Sequence, residues 1–496
     1  MTESSRSLNW HQWGREAFAQ ADADHKPVLL TVGAAWSLGC AEMLRTTYQD
    51  GVVRELVERL FIPVWVDADD RPDINDRYSL GGWPTTAFLT PDGQLLGGQT
   101  FTEPTRMAAL LQQVASAYAA RRTEFSEGAE ADPSQTSTEA PRPVLKIDPT
   151  LDGWLASHLR DAFDPVHGGF GRASKRIQES PLQLVLTRCR AGDTALRDVA
   201  IRTLDAIGGP LFDDVEGGVF RCAARRDWSQ PQVEKLLNVN ASALRLFLEG
   251  WLGFKDPRYR ECATQLIRYV TGTLADDSNG GFFASQLADD VYYAATEAER
   301  GMLGSPPVDR VVYSGANAEI ARALVRGAEL LDDSSLLDCA VTALERVGET
   351  YQRGGGIAHR ADDPRGVRGL LADQIAVSEA LYDAYSATDR DVYLDLAQEL
   401  MLFAMRELWS ARASAFVDRV VAEDDVGLLR QTITPFDLNC RAAHLLARLG
   451  RETDRSDFLE RAGLTLASQS TAARRHSVDA ASYVLALQDV WFSESS

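Results

Sequence analysis

The sequence predicts two fold classes in one chain, α/β over residues 1–122 and all-α over residues 147–496, with a flexible linker at 123–146 between them. Three observations carry this reading. Up to about Ala120, apolar runs of strand length alternate with stretches of helical periodicity. Between Thr123 and Pro143 the chain turns to Glu, Ser, Thr, Ala, Gly and Pro with almost no large apolar residue, a composition that buries too little surface to offset the entropy of folding. From Ile147 onward helical periodicity dominates, and a chain of 496 residues is longer than one core usually organises.

In the α/β unit a helix is expected from His11 to Ala23, followed by a strand over Pro27–Val32. A helix follows Cys40, and a second strand runs over Phe61–Val66. Thr85–Thr90 and Gln94–Gly97 flank the turn Pro91-Asp92-Gly93 and predict a hairpin, and a helix from Glu103 to Arg121 closes the unit. In the all-α unit twelve helices are expected, near 148–163, 180–191, 194–208, 231–253, 257–274, 314–331, 334–351, 370–387, 390–409, 435–450, 455–469 and 477–492, enough for six hairpins. Between several of them recurs a loop of aspartate or polar residues, a glycine pair and then an aromatic or aliphatic residue: Asp164–Phe170, Asp213–Phe220, Asp276–Phe283 and Arg353–Ile357. One such loop is no more than a helix stop, because glycine favours the left-handed C-cap. Four of them mark a weak repeat and predict a closed or superhelical α/α array.

Fifty-one basic against 72 acidic residues give a formal charge of −21, which repels phosphate backbones and anionic lipid, so neither a nucleic acid nor a membrane partner is expected. The six cysteines are scattered, with no CxxC pair and no zinc-ligand spacing, as suits a reducing compartment. No metal and no cofactor is expected. No apolar run reaches membrane-spanning length and none follows the amino terminus, so the expected location is the cytoplasm.

The stretch Gly33-Ala34-Ala35-Trp36-Ser37-Leu38-Gly39-Cys40 follows the first strand and opens a helix, in the manner of a thioredoxin active-site turn with one sulfur missing. A dithiol cycle needs one thiol to attack a disulfide and a second, three positions on, to resolve the mixed intermediate. Ser37 stands where the attacking thiol belongs, and a hydroxyl without a dedicated base is no nucleophile near neutral pH. Cys40 alone is therefore read as a buried packing residue.

Trp36-Ser37-Leu38-Gly39-Cys40, then Val66–Asp73, then Gly81-Gly82-Trp83-Pro84-Thr85 together resemble the spermatogenesis-associated protein 20 family, also called the YyaL-like, thioredoxin-domain-containing family. The family motif CHWCHVM falls without gaps on Ser37–Met43, where only Cys40 and Met43 match. The resemblance covers nearly the whole chain. It implies an amino-terminal thioredoxin-like fold, an (α/α)6 six-hairpin toroid of the kind found in sugar epimerases and glycosidases, and a cis-proline at Pro84 packed against the active-site turn. Leu211–Asn240 resembles a family segment at Asp213, Gly217, Gly218, Arg221, Trp228, Pro231, Glu234, Lys235, Leu237 and Asn240, while that segment's three histidines are replaced by Asp214, Phe220 and Gln232. Further on, Ser285–Asp289 resembles a family segment with Leu287 in place of a carboxylate, Asp309–Asn317 one with Ala316 in place of a tryptophan, and Leu371–Gln374 one of which a single acidic residue, Asp373, is retained.

On this reading Glu234, Asp213, Asp214 and Asp373 are the candidate catalytic carboxylates, because two carboxyl groups on facing helices supply the acid and the base of sugar chemistry. Trp228 is the candidate for stacking on a sugar ring, with Arg221, Asn240, His167, Asp289 and Asn317 as further substrate-binding candidates. The competing account of Glu234 is structural: after Pro231 it would sit in the first turn of a helix, where a carboxylate favours the dipole and needs no substrate. His167 precedes a glycine pair in a loop, and none of the histidines forms a metal-type pair. The leading expectation is a thioredoxin-like domain without dithiol redox activity joined to a toroid that binds a carbohydrate-like or other polar small molecule. The alternatives are a sugar hydrolase or isomerase using those carboxylates, a scaffold presenting surfaces to a protein partner, and, last, a thiol oxidoreductase.

Overall fold

The computed structural model describes residues 8–128 and 146–491, with the side chains of 121–128 excepted. The chain divides into two compact units. The first comprises residues 1–144 together with Val421–Thr432, and the second comprises 145–420 and 433–496.

In the first unit, α1 (Arg15–Ala23) precedes β1 (Val28–Gly33), α2 (Leu38–Arg45), α3 (Gly51–Leu60), β2 (Ile62–Asp67), α4 (Pro72–Tyr78), β3 (Thr85–Leu89), β4 (Leu95–Gln99) and α5 (Pro104–Gly128). The sheet order is β2-β1-β3-β4, with β2 parallel to β1 and the other pairs antiparallel. Period-two alternation in β1 sends Val28, Leu30 and Val32 to one face and Leu29 to the other, so the sheet is covered on both sides. One layer packs Phe18, Ala21, Ile74 and Tyr78, and the opposite layer packs Met43, Tyr48, Val53, Leu56 and Met107. This is the α/β thioredoxin-like arrangement expected. The linker expected at 123–146 differs in its first residues, which continue α5 to Gly128; positions 129–145 lie outside the described residues.

One part of this unit has no signal in the linear order of the chain. Val421–Thr432, which in sequence interrupts the helical unit between residues 420 and 433, supplies Val426 and Leu429 to the core beside Tyr78. The Tyr78 hydroxyl donates to the Gly93 carbonyl at 2.8 Å and accepts from the Leu428 amide at 2.8 Å, and the Arg77 guanidinium holds the Leu428 carbonyl at 3.0 Å.

In the second unit, twelve principal helices pair as expected: α6 (Thr150–Ala162), α7 (Glu179–Arg190), α8 (Arg197–Ile207), α9 (Leu237–Phe254) and α10 (Pro257–Tyr269) come first. After the short α11 (Asp290–Ala294) and α12 (Glu297–Leu303) follow α13 (Ser314–Leu331), α14 (Ser334–Gly348), α15 (Leu371–Thr388), α16 (Asp391–Glu407), α17 (Phe436–Glu452), α18 (Ser456–Gln469) and α19 (Ala481–Val490). Contacts run from α7 to α9, α13, α15, α17 and α19 and back to α7, closing an inner ring of six; α8, α10, α14, α16, α18 and α6 pack outside it. The inner helices are the more thoroughly buried, as α15 shows by hiding Leu371 and every residue from Asp373 to Leu381. This is an (α/α)6 toroid.

The glycine loops follow one plan. In Asp213–Gly218 the Asp213 amide bonds the Gly218 carbonyl at 3.0 Å and the Gly217 amide returns to the Asp213 carbonyl at 2.8 Å, and the same pair of bonds recurs at Asp164–Gly169, Asp276–Gly281 and Gln352–Gly356. Gly217 and Gly218 have φ near 80°, and a Cβ on either would stand 2.6 Å from the Gln265 carbonyl oxygen or the Tyr269 ring, so no other residue fits. Three of these loops are then pinned by an amide on the next inner helix: Asn240, Asn317 and Gln374 each bond both the amide and the carbonyl of the residue that follows the glycines, and the carbonyl four residues back on their own helix. Asn439 holds Phe416 in the same way, and the Gly169 amide of the remaining loop bonds the Thr203 hydroxyl at 3.1 Å.

Candidate functional site

In the first unit the motif residues do converge. Ser37 caps α2, its hydroxyl accepting the Cys40 amide at 3.4 Å. Cys40 is 2% exposed, its sulfur accepts the Ala34 amide at 3.4 Å, and burial pushes its thiol pKa up. The Trp36 indole donates to Asp69 at 2.6 Å and meets Trp83 edge-on at 5.4 Å. The Trp83–Pro84 peptide is cis, and Pro84 closes over the turn at Gly39. A buried thiol with a raised pKa beside a hydroxyl has neither the thiolate nor the second sulfur of a dithiol centre. Asp67, at the end of β2, accepts amides of Ala35 and Asp69 at 3.1 and 2.8 Å; burial, reinforced by the Asp69 charge, pushes its carboxyl up to about 6.

In the toroid the expected catalytic carboxylates do not face one another; each is already neutralised or lies apart. Asp213 is held by Lys235 at 2.6 Å and by both terminal nitrogens of Arg300 at 2.8 and 2.9 Å. Burial alone would raise its pKa, but Arg300 and Lys235 hold it below the usual carboxylate range. Lys235 is itself enclosed by the rings of Tyr269, Tyr293 and Phe220 at 4.4, 4.9 and 5.6 Å, and desolvation pushes its ammonium down to about 8 against the pull of Asp213. Glu234 is buried in an ion pair with Arg221. It lies between the two-residue strands Pro231–Gln232 and Lys235–Leu236, and α9 begins only at Leu237, so its expected place in a helical first turn is also corrected. Asp373 bonds the imidazole Nδ1 of His359 at 2.9 Å, and Asp214 is exposed.

The substrate-binding candidates are likewise spoken for. Trp228 is 1% exposed and donates its indole N–H to the His167 carbonyl at 2.9 Å, so its face is not available to a sugar ring. His167 serves through its backbone, donating its amide to Asp164 at 3.3 Å. Asp289 is the N-cap of α11, accepting the amides of Val291 and Tyr292 at 3.0 Å. Asn240 and Asn317 are the loop clamps already described, and Arg221 is the partner of Glu234. None of these residues, and none of the four carboxylates, lines the cavity enclosed by the inner helices.

That cavity has a volume of about 1450 Å³. Its wall carries charged side chains that the motif reading missed, joined in a network that spans the ring. Arg245 on α9 binds Glu179 on α7 and Glu319 on α13, each at 2.5 Å. Arg441 on α17 reaches Glu319 and Glu379 at 2.5 Å, and Arg322 binds Glu379 at 2.5 Å and Asp383 at 2.9 Å. Burial would raise Glu319, but Arg441, Arg245 and Arg322 hold it well below the carboxylate range. His444 bonds Asp489 at 2.7 Å. At the start of α17, Phe436 and His476 stack with ring centroids 3.9 Å apart and planes at 10°, beside Asp437. The sequence does hold a signal for these groups: Arg245 and Glu249, Glu379 and Asp383, and Arg441 and His444 recur at three- or four-residue spacing on helices of the inner ring. A charge there has only the bore to face. Among the described residues no group of acidic, histidine and cysteine side chains is arranged to hold a metal ion, and no helix is long and apolar enough to cross a membrane.

The family model Thioredox_DsbH, described as a protein of unknown function, DUF255, matches residues 1–135. Spermatogenesis-associated protein 20 of Mus musculus is 27% identical over 325 residues, 60% of this chain, and the match spans about two fifths (40%) of the mouse protein's length. The cellobiose 2-epimerase of Spirochaeta thermophila superposes with a TM-score of 0.50 at 14% identity, covering 64% of this chain and 83% of that one. The GH76 α-mannanase BT2949 of Bacteroides thetaiotaomicron superposes with a TM-score of 0.51 at 9% identity, covering 70% and 96%. The two structural likenesses establish the toroid fold and nothing finer. With a thioredoxin-like unit ahead of that toroid and the sequence match to the mouse protein, the chain is a divergent homologue of the proteins named spermatogenesis-associated protein 20.

Proposed function

We propose that the toroid binds a carbohydrate-like small molecule in its central cavity and that the thioredoxin-like unit carries no dithiol redox cycle. The observation that carries the reading is the cavity itself: about 1450 Å³, walled by inner helices, with a flat Phe436–His476 stack set among hydrogen-bonding groups. A pocket that combines an apolar ring surface with a few placed polar groups is the usual form of a small-molecule site, and its volume exceeds what a single sugar needs. The proteins named cellobiose 2-epimerase and α-mannanase share the fold and act on sugars by name, which supports the ligand class. Hydrolysis or isomerisation through Glu234, Asp213, Asp214 and Asp373 has no support, because these groups are dispersed and mostly salt-linked away from the cavity. A pure scaffold would have a filled centre.

The test is a thermal-unfolding titration of the intact protein with neutral mono- and disaccharides. The expected result is a saturable rise in Tm with at least one of them, since a ligand that binds only the folded state stabilises it as its concentration passes Kd. No rise with any sugar at high millimolar concentration overturns the reading.

A further inference from the structure

The charge of the cavity wall narrows the ligand further. Ten carboxylates line it against six guanidinium groups, and five of those six, Arg245, Arg322, Arg326, Arg441 and Arg448, are bound to carboxylates. The surplus charge is therefore negative, the reverse of what a phosphate or carboxylate ligand requires. Part of it lies beside the aromatic stack: Asp437 and Asp479 both line the cavity, and among the described residues no cation lies within ion-pair distance of either. Asp437 is exposed on the cavity wall, and the desolvation by the protein around it, only partly offset by Arg441 and a hydrogen bond from Ser482, raises its carboxyl pKa. A carboxylate so placed gains from a partner that brings a positive charge.

Resting on the cavity reading above, we propose that the cavity selects a hydroxylated ligand carrying a protonated amine, an amino sugar in its simplest form, with the amine directed to Asp437 and Asp479 and a ring face on the Phe436–His476 stack. The amine supplies a cation at the two carboxylates, the ring covers the open face of His476, whose other face is taken by the buried Phe436, and the hydroxyls reach the ion-paired wall, where carboxylate oxygens accept further hydrogen bonds. A sugar phosphate would add negative charge to a wall already in surplus.

The test uses β-1,4-linked disaccharides with one skeleton and three substituents at C2: hydroxyl (cellobiose), acetamido (the N-acetylglucosamine disaccharide) and free amine (the glucosamine disaccharide). Isothermal calorimetry on the full chain at about pH 6, where the amine is protonated, is expected to show the amine form binding at least about tenfold tighter than the other two. In Asp437→Asn this preference of the amine form over cellobiose is expected to shrink towards parity. Equal binding of all three by the unaltered protein, or tighter binding of glucose 6-phosphate than of glucosamine, overturns the amine inference and leaves the sugar-binding cavity standing. Absence of binding by every form overturns the cavity reading and this inference with it.

Discussion

The turn at Trp36–Cys40 and the loop at Asp213–Phe220 both stand out in the sequence as pieces of a familiar pattern, and the structure treats them alike: both are packed, capped and satisfied. The turn keeps the N-cap, the tryptophan and the cis-proline of a redox centre around one buried sulfur. The loop keeps its glycines and its aspartate because the backbone and a buried lysine need them. The cavity wall differs from both. There no pattern matches, yet charged and aromatic groups open onto enclosed space. A motif marks what the fold requires, whereas a ligand site is marked by polar groups on surfaces that the fold leaves open.

The comparison is broken most forcefully at Asp213. Replacing it by Asn leaves the buried Lys235 without its paired carboxylate and Arg300 with Glu216 alone, and a loss of about 3–5 kcal/mol in denaturant unfolding of the toroid is expected. If stability is unchanged, Asp213 is held for function rather than structure. Next in size, Leu429→Ala removes a side chain that is 1% exposed in the thioredoxin-like core, and a loss of about 2–4 kcal/mol from that unit is expected, although the residue is far away in sequence. Protection of the first unit's amides against hydrogen exchange reads this directly.

A smaller effect is expected at Asp67. Its folded pKa of about 6 lies above the ordinary 3.8, so its contribution to stability is complete below about pH 4 and is lost as pH rises through 6. Thermal unfolding of the first unit between those values should show a downward slope with pH that Asp67→Asn flattens. Smallest of all, Cys40→Ser should leave insulin reduction in the presence of dithiothreitol at background. The reverse change, Ser37→Cys, restores two sulfurs three positions apart and should raise reduction above background, at the cost of the cap.

Much of this was legible in the residues. Twelve helices, the four glycine loops and the strands of the first unit follow from periodicity and turn chemistry, which are local. Two things were not local. Val421–Thr432 joins a core more than three hundred residues earlier, and nothing in its composition states this. The function of Trp228, Asn240 and Asn317 depends on what surrounds them: indole, amide and carboxylate groups suit a buried clamp as well as a sugar site, and only burial separates the two. The carboxylate Glu234 was misplaced for a related reason. Pro231 reads as a helix start, but here it opens a short ladder to Cys222–Ala223. The true wall residues were visible as charges at three- and four-residue spacing on helices of the inner ring, a signal that becomes specific once the ring is known to be closed.

The central claim is that ligand binding belongs to the cavity and not to the conserved-looking loops of this fold, and a paired titration tests it most directly. His476→Ala removes the exposed ring of the stack from the cavity, and Glu234→Gln alters the loop carboxylate while leaving the cavity intact. With the tightest-binding disaccharide, His476→Ala is expected to weaken binding by about tenfold or more, while Glu234→Gln binds as the unaltered protein does. Loss of binding in Glu234→Gln with His476→Ala unaffected would contradict it.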